Sequence, residues 1–313
     1  GQHGIQAPGD VEMARAVTGL DLVVGGHTQN PACMKAENVL DTAYVPGTPC
    51  QPDRQNGTWI VQAHEWGKYV GRADFQYRNG EFTLVKYALV PINLKHTPPI
   101  AEDPQMLALL QPYQAFGQSK LLVNVGSSDA RLEGDRSVVR KAPTSLGMLI
   151  GQAMMDKTRS DFAVVNAGGI RDSLPAGPIT YKDILKVQPF GNTLATLRLT
   201  GREVLDYLQV AVRMSPGAGG FPHFSGVEVT TAAGTIAEVR VRGVALDPAG
   251  TYQMVINNFM AVGGDGYPVM TAHAGYVDTG FVDADVLRSF IATHSPLQAS
   301  RFATGQPAIG SPR

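Results

Sequence analysis

Phe190 and Phe259 lie far apart in the chain, each inside a short glycine-bearing segment. The first is Gln188-Pro189-Phe190-Gly191-Asn192, and the second runs Asn257-Asn258-Phe259-Met260-Ala261-Val262-Gly263-Gly264-Asp265-Gly266-Tyr267-Pro268. Neither segment has the period of a helix or a strand, so neither ring reads as part of a core-facing stripe. Aromatic rings presented from such loops can form a slot for a flat ligand, and every nucleobase offers a π-face to fill it. The competing reading is that each ring plugs the core beneath its own loop. The polar neighbours, Asn192 beside one ring and Asp265 near the other, favour the slot.

Arg136 and Arg140 fall in a stretch that also carries Glu133, Gly134 and Asp135, and Arg171 closes the loop Ala167-Gly168-Gly169-Ile170-Arg171. Guanidinium groups take phosphate oxygens in bidentate geometry. Ion pairing with Glu133, Asp135 and Asp172 is the alternative for each arginine taken singly. As a set, the residues read as a nucleotide site: rings for the base, Asp265 for ribose hydroxyls, arginines for phosphate. A second candidate lies in Gly25-Gly26-His27-Thr28-Gln29, beyond an apolar strand at Leu20 to Val24, where α/β proteins place function. His27 can ligate a metal through a ring nitrogen and Gln29 through its amide oxygen, or His27 is hydrogen-bonded in a turn. His3, His64, His96, His223, His273 and His294 are scattered and read as surface or structural, so pattern alone assembles no complete metal site.

The elements that must position these residues are those of a mixed α/β protein. With 313 residues, the length suits two domains. A net charge of −1 gives no nucleic-acid footprint, and no apolar run approaches the roughly 20 residues of a membrane span. Asp10 reads as the N-cap of a short helix through Val17. Trp59 to Ala63 reads as a strand, and Tyr69 to Tyr77 and Glu81 to Leu89 as a hairpin around Arg78-Asn79-Gly80. After the break at Pro98-Pro99, Asp103-Pro104 opens a helix with Met106, Leu109, Leu110 and Tyr113 at helical spacing. Further helices are expected from Thr144 to Lys157, after Thr180, after Thr200 and from Asp283, with strands at Asp161 to Val165, Leu194 to Leu199, Val227 to Val229, Ile236 to Val241 and Tyr252 to Ile256. The expected organisation is the tail of an α/β layer domain at 1–95, a linker with a helix at 96–122 and a mixed α/β domain at 123–313. The opening Gly1-Gln2-His3-Gly4 has no initiator methionine and no signal pattern, as expected of a processed or truncated product. Cys33 and Cys50, the only two cysteines, suit free buried thiols or a disulfide equally by spacing.

The segments Asn166-Ala167-Gly168-Gly169-Ile170-Arg171-Asp172-Ser173, Lys186-Val187-Gln188-Pro189-Phe190-Gly191-Asn192 and Asn258-Phe259 through Pro268 resemble the C-terminal domain of 5'-nucleotidases. Gly9-Asp10-Val11-Glu12-Met13-Ala14-Arg15, Val24-Gly25-Gly26-His27-Thr28-Gln29 and Gln62-Ala63-His64-Glu65-Trp66-Gly67-Lys68-Tyr69-Val70-Gly71 resemble the end of that family's metallophosphoesterase domain. The resemblance covers nearly the whole chain and is strongest to bacterial periplasmic members that also hydrolyse UDP-sugars. It implies a complete 5'-nucleotidase C-terminal domain preceded by part of the metallophosphoesterase α/β layer domain and a linker helix that lets substrate swing to the metals. It further implies base stacking between Phe190 and Phe259, Asn192 at the base edge, Asp265 on the ribose, Gly219 lining the pocket and Arg136, Arg140 and Arg171 on phosphate. His27 and Gln29 match two ligands of a site for two divalent ions (Zn, Mn or Co), and Cys33 and Cys50 match a disulfide, which points to the periplasm. The family's Asp-x-His and Gly-Asn-His elements, with its catalytic His and Asp, have no counterpart in this sequence. The chain is therefore expected to bind nucleotides, nucleosides or nucleotide sugars, to hold no metal stably by itself, and to hydrolyse substrate only together with an N-terminal segment. The alternatives are a non-catalytic nucleotide-binding protein and a 2',3'-cyclic-nucleotide phosphodiesterase of the same superfamily, against which Gln29 argues.

Overall fold

The computed structural model describes residues 9–37, 39–94, 98–232 and 234–303; Gly1 to Gly4 and His96 lie outside the described residues. Two compact units meet in the chain at Leu109 and Leu110.

The first unit opens with α1 (Asp10–Ala16). Its N-cap is Gly9, not Asp10, and no side chain caps it. Asp10 is instead the first helical residue and is buried, with Oδ2 2.5 Å from where a Cβ on Gly25 would stand. An acid in the first turn still faces the positive end of the helix dipole, and only glycine fits at position 25 opposite it. A short antiparallel pair, β2 (Met34–Ala36) and β3 (Val39–Leu40), follows β1 (Leu22–Val24). β1, β4 (Asp53–Gln55) and β5 (Thr58–Val61) form a sheet of order β1-β5-β4, in which β1 is parallel to β5. Val11, Ala14, Val23 and Ile60 make the core between helix and sheet. The hairpin β6 (Tyr69–Arg78) and β7 (Glu81–Pro91) turns through Asn79 and Gly80 at φ 53° and 85°. A turn with positive φ at both central residues matches the twist of its strands, hence the Asn-Gly pair. Cys33 and Cys50 form a disulfide with Cα atoms 5.5 Å apart, beside buried Tyr87 and Leu89, so the two readings of the pair resolve to the bridge.

Helix α2 (Pro104–Leu121) begins as expected, with the Asp103 carboxylate accepting from the amides of Gln105 and Met106. None of its residues is buried.

The second unit contains β8 (Asn124–Ser128), α3 (Arg136–Val139), α4 (Ser145–Thr158), β9 (Phe162–Asn166), β10 (Gly177–Thr180), α5 (Tyr181–Val187), β11 (Thr193–Thr200) and α6 (Gly201–Ala211). The chain continues through β12 (Pro222–Ser225), β13 (Val227–Ala232), β14 (Thr235–Val241), β15 (Val244–Ala245), β16 (Thr251–Asn257), α7 (Asn258–Ala261), β17 (Tyr276–Val282) and α8 (Asp283–His294). Its central sheet has the order β12-β9-β16-β11-β17, with β16 parallel to β9 and its other pairings antiparallel. Strand alternation sends side chains to two cores. Phe162, Val164, Met254 and Ile256 join α6 and the β13–β14 hairpin on one face, while Ala163, Val165 and Val255 join α4 and α8 on the other. The sheet is thus buried on both faces, as a mixed α/β layer requires.

Candidate nucleotide site

Sheet order places the site. Because β9 and β16 are neighbouring parallel strands, their last residues, Asn166 and Asn257, emerge at one edge. β11 runs antiparallel to β16 with Leu194 opposite Asn257, so its start reaches the same edge. Amide groups join the three. Asn257 Nδ2 donates to Asn166 Oδ1 at 2.9 Å, and Asn257 Oδ1 accepts from the Met260 amide at 2.8 Å, capping α7. The Thr193 amide donates to Asn258 Oδ1 at 3.2 Å, tying the Phe259 segment to the strand that follows Phe190.

Neither ring plugs the core: Phe190 is 58% exposed and Phe259 is 43% exposed. Phe259 sits in the single turn of α7 rather than in an irregular loop, because Asn257 caps that turn. A Cβ on Gly264 would lie 2.5 Å from the Phe259 ring, so glycine lets the chain pass the aromatic edge. The Arg171 guanidinium stands 5.6 Å from the centroid of the Phe190 ring. The Asn192 side chain bonds to the carboxyl of Asp283, and its carbonyl accepts from the Asp283 amide at 2.9 Å. Burial pushes the Asp283 carboxyl up to about 6 against the bonds it accepts from Ala284 and Asn192.

Asp265 lies on the exposed side of the same edge at φ 56°, and Asn166 Nδ2 donates to its Oδ2 at 2.7 Å. A Cβ on Gly219 or on Gly168 would come within 2.9 Å of its carboxylate oxygens. A side chain at either glycine would push the Asp265 carboxylate aside, and the Gly168 amide donates to the Gly219 carbonyl at 2.7 Å.

The three arginines share one field. Burial lowers Arg140 to about 10, helped by the positive charges of Arg136 and Arg171 and opposed by Asp265. Arg171 is lowered by burial and then by Arg136, again opposed by Asp265. Arg140 Nε is buried with no hydrogen-bond partner among the described residues. The neighbouring carboxylates each make a further contact of their own. Glu133 pairs with Arg131, Asp135 caps α3 through the Ser137 amide, and Asp172 accepts from the Ser173 amide. Like charges gathered with a buried, unused donor favour an anion.

Thus Phe190, Arg136, Arg140, Arg171, Asp265 and Gly219 form one linked group, with Phe259 and Asn192 joined to it through the amide ties. Sequence reasoning assigned no role to Asn166, Asn257 or Asn258. A cap-type residue at the end of a strand, directly before a glycine loop or a helical turn, was the available signal.

His27 and Gln29 belong to the first unit, in the loop after β1, at φ 71° and 62°. His64 Nδ1 bonds to the Gln29 carbonyl, which gives that histidine a structural place. An imidazole and an amide oxygen suit zinc, manganese or cobalt, but two donors do not complete a coordination shell. Among the described residues, no group of three or more His, Cys, Asp or Glu is placed to hold a metal ion. These residues do not fit a metal pair on their own.

Among the described residues no helix is long and apolar enough to cross a membrane. Residues 124–272 match the family model "5'-nucleotidase, C-terminal domain". The chain is 52% identical over 316 residues to protein UshA of Escherichia coli K12, covering 96% of this chain and 58% of that protein. It is 48% identical over 318 residues to a 5'-nucleotidase of Vibrio cholerae, covering 97% of this chain and 58% of the relative. Among solved structures, the 5'-nucleotidase precursor of Thermus thermophilus matches with a TM-score of 0.65 and 33% identity, over 91% of this chain and 58% of the other. The chain thus spans under two thirds of the length of these relatives. With its mixed α/β architecture, the chain carries a 5'-nucleotidase C-terminal domain at residues 124–272 and is homologous over nearly its whole length to UshA and 5'-nucleotidases.

Proposed function

We propose that the second unit binds the nucleotide in a 5'-nucleotidase that also acts on nucleotide sugars. The observation that carries this reading is Arg140 Nε, buried without a hydrogen-bond partner among the described residues and set among three mutually repelling arginines, with Asp265 and two exposed rings in the same linked group. In this reading Phe190 and Phe259 stack the base, Asn192 meets its edge, Asp265 takes the ribose hydroxyls beside Gly219, and Arg136, Arg140 and Arg171 offset the phosphate charge. Residues 123–313 form the substrate-binding domain, residues 96–122 the linker, and residues 1–95 a part of the metallophosphoesterase domain.

His27 and Gln29 are two donors of a two-metal site whose other donors these residues do not supply. Such a metal pair activates water and stabilises in-line displacement at phosphorus when bound. The isolated chain binds nucleotide without turning it over, and the Cys33–Cys50 disulfide supports an oxidising compartment, the periplasm, as its location.

Calorimetric titration of the purified chain with AMP, adenosine and UDP-glucose, alongside a phosphate-release assay with zinc or manganese, tests both parts. Binding of AMP without phosphate release is expected. Absence of binding sinks the recognition reading, and metal-dependent release by the chain alone sinks the division of labour.

A further inference from the structure

His223 is the most completely buried of the described histidines, and it belongs to no proposed ligand contact. It stands in β12 opposite Val165, so the ladder that sets the position of Asn166 also sets this ring. Both ring nitrogens are used. Nε2 meets the Val139 carbonyl at 2.9 Å, and the Thr144 amide donates to Nδ1 at 3.2 Å. Those two partners bracket Arg140. Val139 ends the single turn of α3 that begins with Arg136, and Thr144 is the N-cap of α4. One four-residue turn cannot hold its own geometry in water, so the placement of its arginines comes from external ties. Asp135 supplies one at the start, and the Gly217 amide supplies another to the Arg140 carbonyl at 2.6 Å. The imidazole supplies the third, between them. The space for it is built in: a Cβ on Gly147 would fall 2.2 Å from Nδ1.

Resting on the reading of the arginines as phosphate ligands, we infer that His223 is a positioning residue for the phosphate subsite, holding the Arg136–Arg140 turn through its Nε2–H bond to Val139. The geometry requires a neutral ring with one donor and one acceptor. Burial, which pushes the ring down to about 4, keeps it neutral at physiological pH.

The ratio of AMP affinity to adenosine affinity, measured by calorimetry on the full chain, isolates the phosphate contribution. In His223→Asn an acceptor for Thr144 remains, but the short amide does not reach Val139. The ratio is expected to fall roughly tenfold, the scale of one hydrogen bond to a charged group, while adenosine affinity stays within about twofold. His223→Gln, whose longer amide reaches Val139, is expected to keep the ratio. A folded His223→Asn with the wild-type ratio, or with equal losses for both ligands, overturns the role. A wild-type chain that does not prefer AMP overturns the arginine reading instead. Proton–nitrogen NMR of the wild-type ring decides the matter if the variant does not fold: a proton on Nε2 supports the role and one on Nδ1 overturns it.

Discussion

Asn166 Nδ2 donates to Asp265 Oδ2 at 2.7 Å, across 99 residues of sequence. The bond explains how a carboxylate on an exposed, left-handed residue is held in one orientation. Asn166 is itself 2% exposed and is fixed from behind by Asn257, so the orientation of Asp265 is inherited from the pairing of β9 with β16. Its other oxygen lies beside Gly219, where a Cβ would stand 2.9 Å from it.

Replacing Asp265 with Ala is expected to weaken adenosine binding by about tenfold to a hundredfold, the range for hydrogen bonds to a charged group. Binding of 2',3'-dideoxyadenosine, which lacks both hydroxyls, is expected not to change. Calorimetry with the two nucleosides makes the comparison, and equal losses for both contradict ribose recognition by this residue.

Phe259→Ala is expected to cost nucleoside binding about 1–3 kcal/mol, the scale of one base–aromatic contact. Because the ring is 43% exposed, its removal leaves no closed cavity, and the melting temperature should barely move. Unchanged adenosine affinity, or a large loss of stability, returns the ring to a packing role.

Local chemistry was legible in the sequence; pairing over long distance was not. Thr180 and Thr200 each form a capping box with an acid three residues on, Asp183 and Glu203, which makes their helix starts readable. The hairpin turn is readable for a similar reason, since Asn79-Gly80 carries its own backbone preference. β8, β10, β12 and β17 carry no such signal: they are short or irregular, and their partners lie far away in the chain. Asn166 and His223 illustrate the same limit at the site. An asparagine at a strand end and a histidine on a four-residue strand acquire meaning only when β9, β12 and β16 have assembled.

Reducing the Cys33–Cys50 bridge is expected to destabilise the first unit by roughly 3 kcal/mol, on the chain-entropy account of a loop this short. The separation of 17 residues sets that scale. Thermal melts with and without a phosphine reductant check it, with tryptophan fluorescence reporting on the first unit through Trp59 and Trp66. An unchanged melt would mean that the contacts of Tyr87 and Leu89 hold this region without the bridge.

The Asp283 carboxyl gives a pH dependence with a definite sign. Its ordinary value is 3.8, and burial raises it to about 6 in the folded chain. The folded state therefore holds the proton more tightly than the unfolded state does. The stabilisation is fully present below about 4 and is lost as pH rises through about 6, with a total on the order of 2–3 kcal/mol. Neighbouring Asp285 acts in the same direction. Asp283→Asn cannot ionise, so the stability difference between wild type and variant should shift against the wild type between about pH 4 and about pH 7. Urea unfolding of both proteins at the two pH values measures the shift, and a difference independent of pH means that folding leaves the pKa of this carboxyl unchanged. Because Asn192 bonds to this group, the same pair of proteins should also differ in how adenosine binding responds to pH, if Asn192 meets the base.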